Sequence, residues 1–141
     1  MLKKIYIVDD DEISVFLTEA VLERYGYQGC IESFTDPVKA YSQIHAALQQ
    51  FSEGHCLIFL DLNMPVMSGW EFLDNLSAQA ENLKSKCTVV VLSSAVDGRE
   101  ITRSTEYPLV LSFVPKPLDE TSFELILEML RENGTLPEVK S

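Results

Sequence analysis

Four apolar runs along the chain stop abruptly at polar or charged residues. Ile5-Tyr6-Ile7-Val8 runs into Asp9-Asp10-Asp11, and Leu57-Ile58-Phe59-Leu60 into Asp61. Val89-Val90-Val91-Leu92 ends at Ser93-Ser94, and Leu111-Ser112-Phe113-Val114 leads to Pro115-Lys116-Pro117. Runs this short, rich in β-branched residues and nearly without polar interruption, predict strands buried on both faces of a parallel sheet. In such sheets ligands bind beyond the carboxyl ends of the strands. The pattern therefore brings carboxylates, a hydroxyl and an ammonium to one edge.

Between the runs the periodicity changes to that of helices. A strand over residues 3–9 is followed by a helix over 12–25, with Ile13, Phe16, Leu17, Ala20 and Val21 on one face. Gly26 stands where a helix C-cap belongs. A second strand is predicted over 28–34, and Asp36-Pro37 reads as an N-cap with proline at the first helical position. That helix runs to about residue 50 and closes at Ser52-Glu53-Gly54. Strand 56–60 is followed by a polar loop and a helix over 70–83 that buries Phe72, Leu73 and Leu76. Strand 88–92, a weaker helix over 99–105, strand 109–114 and a helix over 120–132 complete the alternation. Phe123, Ile126, Leu127 and Leu130 mark the apolar face of the last helix, and Gly134 ends it. Five βα units in succession predict an α/β fold, a doubly wound five-stranded parallel sheet with five helices and right-handed crossovers. One domain over 1–133 and a short polar tail over 134–141 are expected.

Charge and composition narrow the function. The formal net charge of −11 argues against direct nucleic-acid binding, which needs clustered Lys and Arg against phosphate. No apolar stretch approaches the roughly 20 residues of a membrane helix, and the N-terminus lacks a signal-peptide pattern. A cytoplasmic protein without membrane contact is expected. Cys30, Cys56 and Cys87 are odd in number and set among apolar residues, which predicts buried reduced thiols. His45 and His55 stand alone and are expected at the surface.

Asp9, Asp10 and Asp61 converge if their strands are neighbours. Like charges in one cleft must share a proton or a cation. A hard divalent ion with oxygen ligands and retained waters, magnesium, suits the set. Asp11 reads as a cap of the first helix.

The chain continues from Asp61 as Leu62-Asn63-Met64-Pro65-Val66-Met67-Ser68-Gly69. With the acidic pair after the first strand, a hydroxyl after the fourth and Lys116-Pro117 after the fifth, this constellation resembles the receiver domain of two-component response regulators. The resemblance covers nearly the whole chain. It implies a flavodoxin-like strand order of 2-1-3-4-5. It implies Asp61 as the phosphoacceptor, a carboxylate that takes a phosphoryl group from a sensor histidine kinase or a histidine phosphotransfer protein. Magnesium would be held by Asp10 and Asp61 and by the backbone carbonyl of Asn63, with Asp9 acting mainly through water. Ser93 would hydrogen-bond the phosphoryl oxygen, and Lys116 would pair with Asp61 and then with the phosphoryl group. Phe113 stands at the position of the switch aromatic, although it reads nearly as well as a core residue. The Lys116-Pro117 peptide would be cis. A stand-alone receiver would signal to an unknown downstream protein by contact, over the face of the fourth helix, fifth strand and fifth helix. It would catalyse only its own phosphorylation and dephosphorylation.

Some residues depart from the usual pattern. Three consecutive aspartates leave the register of the metal pair open. Ser68 stands where an acid is frequent, Pro115 removes a backbone donor at a strand end, and Ala95 offers no side chain to orient a water. The stretch over 49–55 is longer than in compact receivers. Two competing readings are a haloacid-type magnesium phosphatase and a degenerate receiver that binds partners without phosphorylation. The first wants a second acid two residues past its nucleophile, where this chain has Asn63. The intact acid, hydroxyl and lysine set speaks against the second.

Overall fold

The structure, a computed structural model, describes residues 2–50, 53–78, 83–94 and 97–136. Strands β1 (Leu2–Val8), β2 (Cys30–Phe34), β3 (His55–Leu60), β4 (Cys87–Ser93) and β5 (Val110–Pro115) form one parallel sheet in the order β2-β1-β3-β4-β5. The helices between and after them are α1 (Glu12–Tyr25), α2 (Pro37–Gln49), α3 (Gly69–Ser77), α4 (Gly98–Ser104) and α5 (Glu120–Glu132). This is the flavodoxin-like α/β fold that the alternation and the resemblance imply.

β3 and β4 are buried at every residue, as their unbroken apolar runs require. Side-chain alternation divides each central strand between two cores. Tyr6, Val8, Ile58, Leu60, Val89 and Val91 face α2 and α3, where Ile44, Leu48, Phe72 and Leu76 meet them. Ile5, Ile7, Leu57, Phe59, Val90 and Leu92 face α1 and α5, where Leu22, Phe123, Ile126 and Leu130 meet them. β5 lies at the sheet edge, so Pro115 deprives no neighbouring strand of a bond.

Helix starts follow local chemistry. Asp11, Asp36, Asp97 and Asp119 each accept a backbone N–H as N-caps. Ser68 and Glu71 form a reciprocal capping box at α3. Gly26 ends α1 in the left-handed conformation at φ 94°.

Three expectations fail. The buried face of α1 carries Val15, Thr18, Val21 and Leu22, whereas Ile13 and Phe16 are 71% and 68% exposed and Leu17 is also exposed. Apolar residues ring this helix, so periodicity alone chooses between its faces poorly. Thr18 tolerates burial by donating its hydroxyl to the Ser14 carbonyl. Cys30 is exposed because it opens an edge strand, while Cys56 and Cys87 are buried side by side on β3 and β4. His55 is buried rather than superficial, since it begins the central strand. Its Nδ1 donates to the Ser85 carbonyl at 3.1 Å, which makes Nε2 the acceptor for the Thr88 hydroxyl at 2.7 Å. Burial lowers its pKa. The end of the helix expected over 70–83 and Ala95 lie outside the described residues.

Candidate functional site

Parallel pairing sets the site. Val8 and Leu60 are register partners, so the residues that follow them, Asp9 and Asp61, emerge side by side. Their backbones remain tied to the sheet: Asp9 N–H donates to Phe34 and Asp61 N–H to Val8, both at 3.0 Å. Ser93 pairs with Pro115 across β4 and β5, and the Lys116 N–H donates to the Ser93 carbonyl at 2.8 Å. Ser93, fully buried, and Lys116, partly buried, thus project from adjacent strand ends. The Lys116-Pro117 peptide is cis, as expected.

Asp9 and Asp61 are buried and Asp10 is exposed. One carboxylate oxygen from each of the three lies within 4.8 Å of the others. Lys116 Nζ is 2.7 Å from an Asp9 oxygen and 3.5 Å from an Asp61 oxygen. The other Asp9 oxygen accepts the Asp11 N–H at 3.0 Å. The lysine therefore bridges both buried acids and sits closer to Asp9 than to its expected partner.

Burial and the neighbouring Asp9 charge push the Asp61 carboxyl up to about 6, against the opposing pull of Lys116 and the Asn63 N–H. Burial would lower the Lys116 ammonium, but its hydrogen bond to Asp9 and the charges of Asp61 and Asp9 outweigh this and raise it. An all-oxygen cluster with one exposed member, Asp10, fits magnesium, which keeps several waters and takes few protein ligands.

The loop after Asp61 is held tightly to it. Gly69 N–H donates to the Leu62 carbonyl at 2.9 Å. A Cβ on Gly69 would collide with the Asp61 carbonyl oxygen. Only glycine lets α3 start this close to the acidic strand end. Asn63 is exposed, and Phe113 is half-buried against the α2–α3 core.

Two features escape the reading by motifs. Asp11 orders Asp9 through its backbone as well as capping α1. The exposed Ile13 and Leu17 line an open groove of ≈260 Å³, with Asp11, Ser14, Thr18, Lys116 and Pro117 as its other walls. Their spacing signals an apolar row, but not that it faces outward beside the acids.

The model of the response regulator receiver domain matches residues 5–128, and the chain belongs to that family. Among solved structures it is similar to a two-component response regulator from Cytophaga hutchinsonii, 26% identical with a TM-score of 0.79, covering 92% of this chain and 98% of that one. A response regulator receiver protein from Dyadobacter fermentans is 25% identical with a TM-score of 0.76, covering 92% and 96%. A hybrid signal transduction histidine kinase from Dictyostelium discoideum is 21% identical over 134 residues, 95% of this chain. The chain spans 8% of that kinase's length. Receiver domains are signalling proteins, and membership in their family sets aside the haloacid-type phosphatase. Among the described residues no helix is long and apolar enough to cross a membrane.

Proposed function

We propose that Asp61 accepts a phosphoryl group from a phosphohistidine on a kinase or phosphotransfer protein. The observation that carries this reading is a buried carboxylate with two further acids and a bridging ammonium at the strand ends. An Asp61 oxygen attacks phosphorus as the bond to the donor breaks, giving an acyl phosphate. Such transfers depend on positioning and charge neutralisation more than on covalent chemistry by the protein. Magnesium, held by Asp10, Asp61 and the Asn63 carbonyl with Asp9 nearby, supplies the charge neutralisation at the phosphoryl oxygens when bound. Lys116 stands within reach to add a second positive charge. The Ser93 hydroxyl is the hydrogen-bond donor to a phosphoryl oxygen, and Phe113 is the half-buried aromatic whose packing responds. The added charge shifts a two-state surface that a downstream protein reads.

The groove beside Lys116 supports a docking role for α1. A protein donor must bring its phosphohistidine over Asp61, and the exposed Ile13 and Leu17 line the groove at that approach. Such an apolar row at the rim of a charged cleft suits a helical partner.

Intact-mass measurement after incubation with magnesium and acetyl phosphate tests the acceptor role. One added phosphoryl group is expected, and none with Asp61→Asn. Leu17→Glu is expected to slow transfer from a protein donor while leaving the acetyl phosphate reaction unchanged. An unmodified wild-type protein would favour a receiver that binds partners without phosphorylation.

A further inference from the structure

Helix α4 follows the loop after Ser93, yet it is poorly anchored. Its only buried residue is Ser104, whose hydroxyl donates to the Ile101 carbonyl within the same helix. None of its side chains belongs to either core, and Ile101 is 37% exposed. A seven-residue helix without an apolar foothold has little intrinsic reason to stay in place.

Apart from its contacts with β5, it is held by a side-chain cluster at its C-terminal end. Trp70 and Asp74 lie one turn apart on α3. Arg103 lies in the last turn of α4, and Tyr107 follows three residues past its end, in the turn that leads to β5. The two pairs interlock. The Arg103 guanidinium sits 4.2 Å from the centroid of the Trp70 ring. Trp70 and Tyr107 stack with centroids 5.9 Å apart and an interplanar angle of 27°. The Tyr107 hydroxyl donates to an Asp74 oxygen at 2.6 Å. A cation over an indole face, an aromatic stack and a hydrogen bond to a carboxylate are each attractive and directional. The α3 side of the cluster is rigid, because Gly69, next to Trp70, is packed against the Asp61 backbone.

We propose that Trp70, Asp74, Arg103 and Tyr107 form a latch that fastens α4 to α3 and sets how readily α4 opens. The latch joins α3, whose first residue Gly69 packs against the Asp61 backbone, to the C-terminal end of the helix that follows Ser93. Its release accompanies phosphorylation, a link that rests on the phosphoacceptor reading above.

Amide hydrogen exchange of the full chain tests the latch without phosphorylation. Exchange of α4 amides is expected to become roughly five- to tenfold faster in Arg103→Ala and in Tyr107→Phe, with α5 amides unchanged. Alanine is the better helix former, so a helix governed by propensity alone would respond to Arg103→Ala with slower exchange. Arg99→Ala, outside the latch on the same helix, is expected to leave exchange no faster. Unchanged or slower α4 exchange in both latch variants would overturn the proposal. The second arm follows the emission of Trp70, the only tryptophan, after loading with magnesium and acetyl phosphate. A changed emission alongside the added mass supports release of the latch. Added mass with unchanged emission overturns the coupling. Absence of added mass contradicts the phosphoacceptor reading instead, while the exchange arm still decides the latch.

Discussion

Lys116 reaches Asp9 at 2.7 Å and Asp61 at 3.5 Å, so one ammonium ties together two buried carboxylates from adjacent strands. In this arrangement a cation entering the cleft competes with the lysine for Asp9. Lys116→Met is therefore expected to destabilise the protein by about 1–3 kcal/mol without divalent ions, because two acids lose their counter-charge. Added magnesium should restore most of the loss and bind several-fold more tightly than to wild type. Urea unfolding with and without magnesium measures both effects, and weaker magnesium binding by the variant would contradict the competition.

Asp61 gives a pH signature in the absence of metal. Its folded pKa of about 6 lies above the ordinary carboxylate value, so the folded state holds the proton more tightly than the unfolded chain. The stability contributed by this proton is fully present below about pH 4 and is lost as pH rises through about 6. Asp61→Asn should therefore be more stable than wild type at pH 7.5. After discounting for water in the open cleft, the expected gain is on the order of 1 kcal/mol. The difference should vanish near pH 4, and denaturation curves at the two pH values check it.

His55 works in the opposite direction. Burial lowers its folded pKa, so its contribution to stability is present above its ordinary value of about 6.5 and is lost as pH falls below it. His55→Gln is expected to cost about 1–2 kcal/mol at pH 7.5 through lost hydrogen bonds to Ser85 and Thr88. The same change should flatten the decline of stability between about pH 6.5 and 5. A decline as steep as that of wild type would place the titrating group elsewhere.

Val66 stores backbone strain at the tip of the loop after Asp61. It adopts φ 69° with 89% of its surface exposed, a conformation that costs a β-branched residue about 1–2 kcal/mol. Val66→Gly and Val66→Asn should each raise the urea midpoint, corresponding to a gain in unfolding free energy of about 0.5–1 kcal/mol after the added flexibility of the unfolded chain is counted. A lower midpoint for both would mean that the valine side chain stabilises the loop.

Much of the fold was legible because the central strands are buried on both sides. Ile58, Phe59, Val90 and Val91 leave no polar position to confuse the pattern, and their abrupt polar ends mark the functional edge. Asp9, Asp10 and Asp61 could be grouped on the condition that their strands are neighbours, and the structure brings them together. The strand order itself came from the resemblance, since the residues do not specify which strands are neighbours. Errors arose where neighbours, rather than local pattern, decide burial. Apolar residues surround α1, and only its packing against α5 and the sheet selects Val15 over Phe16. His55 looked superficial as an isolated polar residue, but the Thr88 hydroxyl and Ser85 carbonyl that satisfy it lie about thirty positions away. The Trp70–Arg103 contact joins residues on two helices in the same way.

The central claim is that Asp61 carries the phosphoryl group, and reductive trapping tests it most directly. Borohydride reduces an acyl phosphate of aspartate to homoserine, marking the acceptor permanently for peptide mapping. After loading with magnesium and acetyl phosphate, homoserine is expected at position 61 and at no other aspartate. Homoserine at position 9, 10 or 11, or a phosphorylated protein with aspartate intact at 61, would contradict the account.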